Sequence, residues 1–156
     1  MKLISRPQEI SEQEVVDKLF FLAYQEISKN RNVLWIRNHE PQVLPSFDGK
    51  INLEDLERLQ MFYADGKLMQ LVVRIVTEIS TDYEDAVEDV GLFIVETKNP
   101  TTKLMQGLLP ILEKCENVLN EISKDAQVLV LFDMEFLSEK KVETWRKTRS
   151  YVWEEL

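Results

Sequence analysis

The segment "LERLQMFYADGKLMQLVVRIVTEIS" (residues 56–80) carries the strongest local signal of fold class in this chain of 156 residues. Two apolar, alternating runs flank residues 64–66, a pattern typical of a β-hairpin. A three-residue loop with Gly66 in the left-handed conformation keeps one face apolar, because it places Leu59 opposite Leu71. We therefore predict an antiparallel pair of strands. The predicted core face of its second strand consists of Met69, Leu71, Val73, Ile75 and Ile79.

The rest of the chain supplies helical and extended patterns on both sides of this hairpin. Ser11 and Glu14 have the spacing of a capping box at the start of a helix. The apolar periodicities predict helices over 11–28, 99–124 and 140–156, strands over 32–38, 91–97 and 126–137, and an acidic turn over 80–89. This order predicts a single α+β domain over residues 1–156. Its sheet would be mainly antiparallel with about 4–5 strands, and the N-terminal, middle and C-terminal helices would pack mostly on one face.

Charge and cysteine content restrict the classes of function. The 28 acidic and 19 basic residues give a formal net charge of −9, which repels nucleic-acid phosphates and favours basic partners. Cys115 is the only cysteine, so no intrachain disulfide can form and a reducing compartment is expected. The sequence has no apolar run long enough for an export signal or a membrane span. We therefore expect a cytoplasmic protein that does not insert into membranes.

The motif Glu96-Thr97-Lys98 is the first candidate for chemistry. It follows the apolar run "GLFIV", and residues two apart on a strand point to the same side. A carboxylate can bind a divalent cation, and a neighbouring lysine can stabilise developing negative charge. The alternative is a strand end with a surface ion pair. We favour this alternative because the expected neighbours are Val73 and Arg74 rather than a second acid, and we expect Arg74 to neutralise Glu96.

The stretch "FIVETKNP" (93–100) resembles the strand-to-helix segment of PD-(D/E)xK nucleases, and in particular that of type I restriction endonuclease motor subunits. The resemblance implies a divalent-metal-dependent nuclease, or an inactive relative, with Glu96 and Lys98 at the site. The chain departs from the family because the preceding predicted strand supplies no second acid. In addition, "LERLQMFYADGKLMQL" (56–71) is similar to a hairpin in small accessory subunits of CRISPR complexes, which implies an accessory role in nucleic-acid processing.

Other candidate metal ligands and nucleophiles point to no catalytic centre. The acidic cluster over 82–89 lacks the alternating oxygens and the central glycine of a calcium loop, so we read it as a solvated turn. His39 is the only histidine, and Cys115 lies on the apolar stripe of a helix, which indicates an inert thiol. We predict no bound metal and no cofactor.

The segment "EKKVETWRKTRSYVW" (139–153) is the best candidate for a binding surface. It interleaves basic residues with aromatic ones, as protein interfaces and nucleic-acid grooves both do. We expect a protein partner in preference to nucleic acid, because the remainder of the chain is acidic. The predicted partner-binding residues are Trp145, Arg146, Arg149 and Trp153. The leading hypothesis is thus a non-catalytic cytoplasmic interaction protein: an adaptor, a chaperone-like protein or an accessory subunit.

Overall fold

Six strands and four helices build the protein in a computed structural model that describes residues 1–38, 43–46, 49–81, 89–148 and 151–156. The strands are β1 (Lys2–Arg6), β2 (Asn32–Arg37), β3 (Leu59–Tyr63), β4 (Val90–Glu96), β5 (Gln127–Asp133) and β6 (Val152–Glu155). The helices are α1 (Glu12–Ile27), α2 (Leu68–Thr81), α3 (Thr102–Ile122) and α4 (Glu139–Thr148). A short 3₁₀ helix, Asp55–Arg58, precedes β3.

All six strands form one parallel sheet in the order β3-β2-β4-β5-β1-β6. The fold is therefore α/β, and the predicted α+β fold with a mainly antiparallel sheet is wrong. The physical reason lies in the connections, because consecutive parallel strands need long crossovers. The four α-helices lie in four of the five connections between consecutive strands. Strand β4 has every residue buried, as predicted for a central strand that is covered on both faces.

The helices cover both faces of the sheet and create two cores. Helix α1 packs on one face through Val15, Leu19 and Ile27, against inward-facing side chains that include Trp35 and Ile94. Helices α2, α3 and α4 pack on the other face, where their apolar residues meet alternate residues of the same strands. This doubly wound arrangement follows from right-handed crossovers, because connections that run in opposite directions along the sheet lie on opposite faces.

The segment expected to be a hairpin is a strand followed by a helix. Gly66 has a φ of +76°, so the predicted left-handed turn is present, but it leads from β3 into α2. Leu59 pairs with Val33 of β2, and the predicted pairing with Leu71 is wrong. The apolar residues after the turn also have helical spacing, and the segment forms α2, which packs these residues into the core. The buried residues of α2 are Leu68, Val72, Ile75, Val76 and Ile79.

Both ends of the chain contribute strands where the sequence pattern predicted none. The C-terminal helix predicted over 140–156 ends at Thr148, and β6 then pairs with β1, with Leu3 opposite Trp153. Strand β1 in turn pairs with β5. These two strands are short, so their hydrogen-bonding partners rather than their own sequence patterns determine their conformation. By contrast, the predicted capping box at Ser11 and Glu14 is present.

Candidate functional site

The carboxyl ends of the central strands lie together at one end of the sheet, the end where α/β proteins usually bind ligands. In the connection after β2, the described residues Ile51 and Leu56 pack on the α1 face, whereas the connection after β4 leads to α3 on the other face. The connections after β1 and β5 diverge in the same way, to α1 and α4. Each divergence is a topological switch point, which opens a crevice between neighbouring strand ends.

The four central strands, β2, β4, β5 and β1, each end here with a charged residue, and these four residues belong to one chain of ion pairs. The Arg37 Nε–H of β2 donates to Glu96 Oε1 of β4 at 2.7 Å. At the other switch point, Arg6 Nε of β1 lies 3.9 Å from Asp133 Oδ1 of β5. Glu12, in the first turn of α1, joins the two pairs by accepting from Arg37 Nη2 at 3.0 Å and from Arg6 Nη1 at 3.2 Å.

The Glu96 carboxylate is fully engaged in this chain. It accepts a second hydrogen bond from Arg37 at 3.3 Å and one from Trp35 Nε1 at 2.6 Å, and its side chain is 9% exposed. Arg37 is the neutralising cation. The expected neutralisation by Arg74 is wrong, because Arg74 lies exposed on α2 and pairs with Glu78. Glu96 therefore has the environment of a structural ion pair.

Lys98 does not share the position of Glu96. Strand β4 ends at Glu96, so the two-residue alternation stops before Lys98, which is exposed and lines a crevice beside Arg6 and Asp133. Within the described ranges, no group of three or more His, Cys, Asp or Glu side chains is placed to hold a metal ion. The geometry of the described residues thus adds no support to a nuclease site at Glu96 and Lys98.

The predicted C-terminal binding residues are divided between α4 and β6. Trp145 on α4 packs against the core, and Trp153 on β6 meets Phe132 edge-on with ring centroids 5.7 Å apart. The Arg146 guanidinium lies over the Trp153 ring at 5.0 Å, a cation–π contact. Arg149 lies outside the described residues. The role of these residues in partner binding stays a prediction.

The two outer strands of the sheet differ in how they meet solvent. Strand β6 carries Glu154 and Glu155, and charged residues on an edge strand discourage further pairing. Strand β3, with the sequence "LQMFY", has no charged residue, proline or glycine. Tyr63 at its end is 40% exposed. Among the described strands, β3 is therefore the edge that is open to further pairing.

A groove adjoins β3 on the α2 face of the sheet. It has a volume of about 260 Å³, and its apolar wall is formed by Leu34, Phe62, Ile75 and Ile79. The acidic 3₁₀ helix, with Asp55 and Glu57, lies at the beginning of β3. As far as the described ranges show, the β3 edge thus combines backbone groups that no strand pairs, an apolar groove and negative charge.

The remaining candidates from the sequence carry no chemistry in the part that the structure describes. Cys115 is buried on α3, and burial raises the pKa of its thiol to about 12, which makes it unreactive. His39 and residues 82–88 of the acidic cluster lie outside the described residues. Among the helices described, none is long and apolar enough to cross a membrane.

Sequence reasoning missed Arg6, Glu12, Arg37 and Asp133. The available signal was an apolar run that stops at a charged residue, which occurs in "VLWIR" and "VLVLFD" as it does in "GLFIVE". In an antiparallel sheet such strand ends would lie at both ends of the sheet, so the signal has meaning only once the strands are known to be parallel.

Comparison with known protein families, curated proteins and solved structures finds no match to this chain.

Proposed function

We propose that this is a non-catalytic interaction protein of the cytoplasm that binds a protein partner by strand addition at the edge of β3. The observation that carries the proposal is the uncharged, uninterrupted edge of this strand. In strand addition, an extended peptide continues the sheet, main-chain hydrogen bonds supply affinity, and pockets for alternate side chains supply specificity. The single cysteine, which is buried and unpaired, suits a reducing compartment.

The direction of the backbone groups identifies the atoms that would take part. The Ala64 N–H donates to the Arg37 carbonyl of β2 at 2.8 Å, so this residue faces inward. Because backbone groups alternate along a strand, Gln60 and Phe62 also face β2, whereas Met61 and Tyr63 direct their N–H and C=O groups away from the sheet. These outward groups can pair with a partner strand without any change in β3.

Charge and side-chain burial define the chemistry of the partner segment. An added strand would cover Tyr63 and the half-buried Met61 and Phe62, so it should carry apolar residues at alternate positions. The 3₁₀ helix beside the edge carries Asp55 and Glu57 against Arg58, and the whole chain carries a net charge of −9. We therefore infer an extended apolar segment flanked by lysine or arginine.

A proline scan with matched controls tests this proposal. Peptides would be selected from a random displayed library on the wild-type protein, and their affinities measured by fluorescence polarisation. Tyr63→Pro removes an outward N–H, and we expect it to weaken binding at least about tenfold while the fold is kept. Tyr63→Ala retains the N–H and controls for loss of the side chain. Gln60→Pro removes an inward N–H and should destabilise the fold.

Hydrogen exchange gives an independent measurement. A bound peptide should protect the amides of Met61 and Tyr63. Peptides that bind Tyr63→Pro as tightly as the wild type would contradict the proposal. Protection confined to Trp153 and Glu155 would place the interface at the β6 edge, beside the aromatic and basic residues of the C-terminal segment.

A further inference from the structure

A crevice of about 440 Å³ lies at the carboxyl ends of β1, β4 and β5, at the switch point between β5 and β1. Three loops that follow these strands line it. The polar side chains on its wall are Arg6, Gln8, Lys98, Asn99, Asp133 and Glu135. Its volume is that of a site for a small molecule, and its position is the one where open α/β sheets bind ligands.

Positive and negative groups are interleaved across this crevice. Strand β5 lies between β4 and β1, and the Asp133 carboxylate accordingly contacts the Asn99 N–H of the loop after β4 and Arg6 of β1. Lys98, which precedes Asn99, lines the same crevice. Lys98 and Glu135 are exposed, and neither forms an ion pair within the part of the chain that the structure describes. The wall therefore carries two cationic side chains, Arg6 and Lys98, and two anionic ones, Asp133 and Glu135. Lys98 and Glu135 are the pair available to a ligand.

The floor of the crevice is held rigidly. The Asn99 N–H donates to Asp133 Oδ2 at 3.1 Å, and Asn99 has a left-handed φ of +48° that fixes the turn after β4. Arg6 is held from below by Glu12, which is itself bound to the buried Arg37. Charged groups that are positioned before binding lose little entropy when a ligand arrives.

We propose that this crevice binds a small zwitterion of the α-amino acid class. A simple anion would meet the repulsion of Asp133 and Glu135, and a simple cation would meet that of Lys98 and Arg6. A molecule with both charges satisfies both sets, with its carboxylate towards Lys98 and Arg6 and its ammonium group towards Glu135 and Asp133. Met134, which is 36% exposed, supplies an apolar wall for a side chain. This proposal is independent of strand addition at β3.

Isothermal titration calorimetry with the twenty standard amino acids tests the proposal. The tightest ligand would be compared with its decarboxylated amine and its deaminated acid, and we expect it to bind at least about tenfold more tightly than either. Lys98→Gln should weaken binding of the amino acid and of the deaminated acid. Glu135→Gln should weaken binding of the amino acid and of the amine.

Matched exposed residues outside the crevice serve as controls. Lys103→Gln and Glu121→Gln make the same chemical changes on α3 and should bind as the wild type does. The proposal is overturned if no amino acid binds at about 10 mM, a concentration that corresponds to only a few kcal/mol of affinity. It is equally overturned if inorganic phosphate or the half-ligands bind as tightly as the whole amino acid, or if Lys98→Gln and Glu135→Gln leave binding unchanged.

Discussion

Replacing Arg37 with methionine should strongly destabilise the protein, because it leaves the buried Glu96 carboxylate without a neutralising cation. The Arg37 side chain is 1% exposed, and it supplies two of the three hydrogen bonds to Glu96. Removing one partner of a buried ion pair costs about 3–5 kcal/mol, since the remaining charge is left desolvated. With an m-value of about 2 kcal/mol per molar urea for the free energy of unfolding, the urea midpoint of unfolding should fall by about 2 M.

A double-mutant cycle separates two contributions to the lost free energy of unfolding: the unneutralised Glu96 carboxylate and the lost packing of the Arg37 side chain. Glu96→Gln still accepts from Trp35 but carries no charge, so Arg37→Met combined with Glu96→Gln should recover part of the lost free energy of unfolding. Urea unfolding followed by circular dichroism measures all three variants.

A surface pair gives the matched control. Arg74→Met breaks the exposed pair with Glu78 and should cost no more than about 0.5 kcal/mol. A stabilising Arg37–Glu96 ion pair is refuted if Arg37→Met costs no more than Arg74→Met, or if the double variant is less stable than both single variants.

Three further predictions concern single positions in the fold. Gly66→Ala should lower the free energy of unfolding by about 1 kcal/mol, because its φ of +76° penalises a Cβ atom; a urea midpoint equal to that of the wild type would contradict this. Gly91→Ala should cost no more than about 1 kcal/mol, because the atoms that the new Cβ would meet, Glu26 Oε2 at 2.6 Å and Arg31 Nε at 2.8 Å, lie at the far ends of flexible side chains that can shift; a loss above about 3 kcal/mol in thermal melting would contradict this. Iodoacetamide at pH 8 should leave Cys115 unmodified in the native protein and alkylate it in urea, because burial raises its pKa to about 12; mass spectrometry that finds native alkylation would disprove the assignment.

Local sequence patterns predict an element correctly where the element is long and its periodicity is unambiguous. Helix α1 begins at the predicted capping box, and β4 is buried on both faces as its continuous apolar run predicts. The strand predicted after Gly66 is wrong, because the apolar residues of this segment satisfy both a two-residue and a helical spacing over a short stretch. The turn chemistry of Asp65-Gly66 was present, but the same turn can lead into a strand or into a helix.

The ion pairs at the carboxyl ends of the strands cannot be predicted from local sequence patterns. Arg37 and Glu96 are 59 residues apart in sequence, and Arg6 and Asp133 meet only because β1 inserts between β5 and β6. No local pattern encodes these distances, and the sequence-based prediction of Arg74 as the partner of Glu96 is therefore wrong. A parallel sheet brings the last residues of several strands to one edge, and that convergence creates both the ion pairs and the crevice.

The sequence by itself determined the positions of the longest helices and of the buried strands, because amphipathic periodicity, capping and turn residues act over a few neighbouring positions. It also determined the acidic balance and the single buried thiol. Only the tertiary structure decided the direction and order of the strands, because these depend on which apolar faces can be buried together and on the right-handed crossovers that connect them. The same non-local packing makes β1 and β6 strands, makes β3 an outer strand of the sheet, and places Lys98 and Glu135 in one crevice.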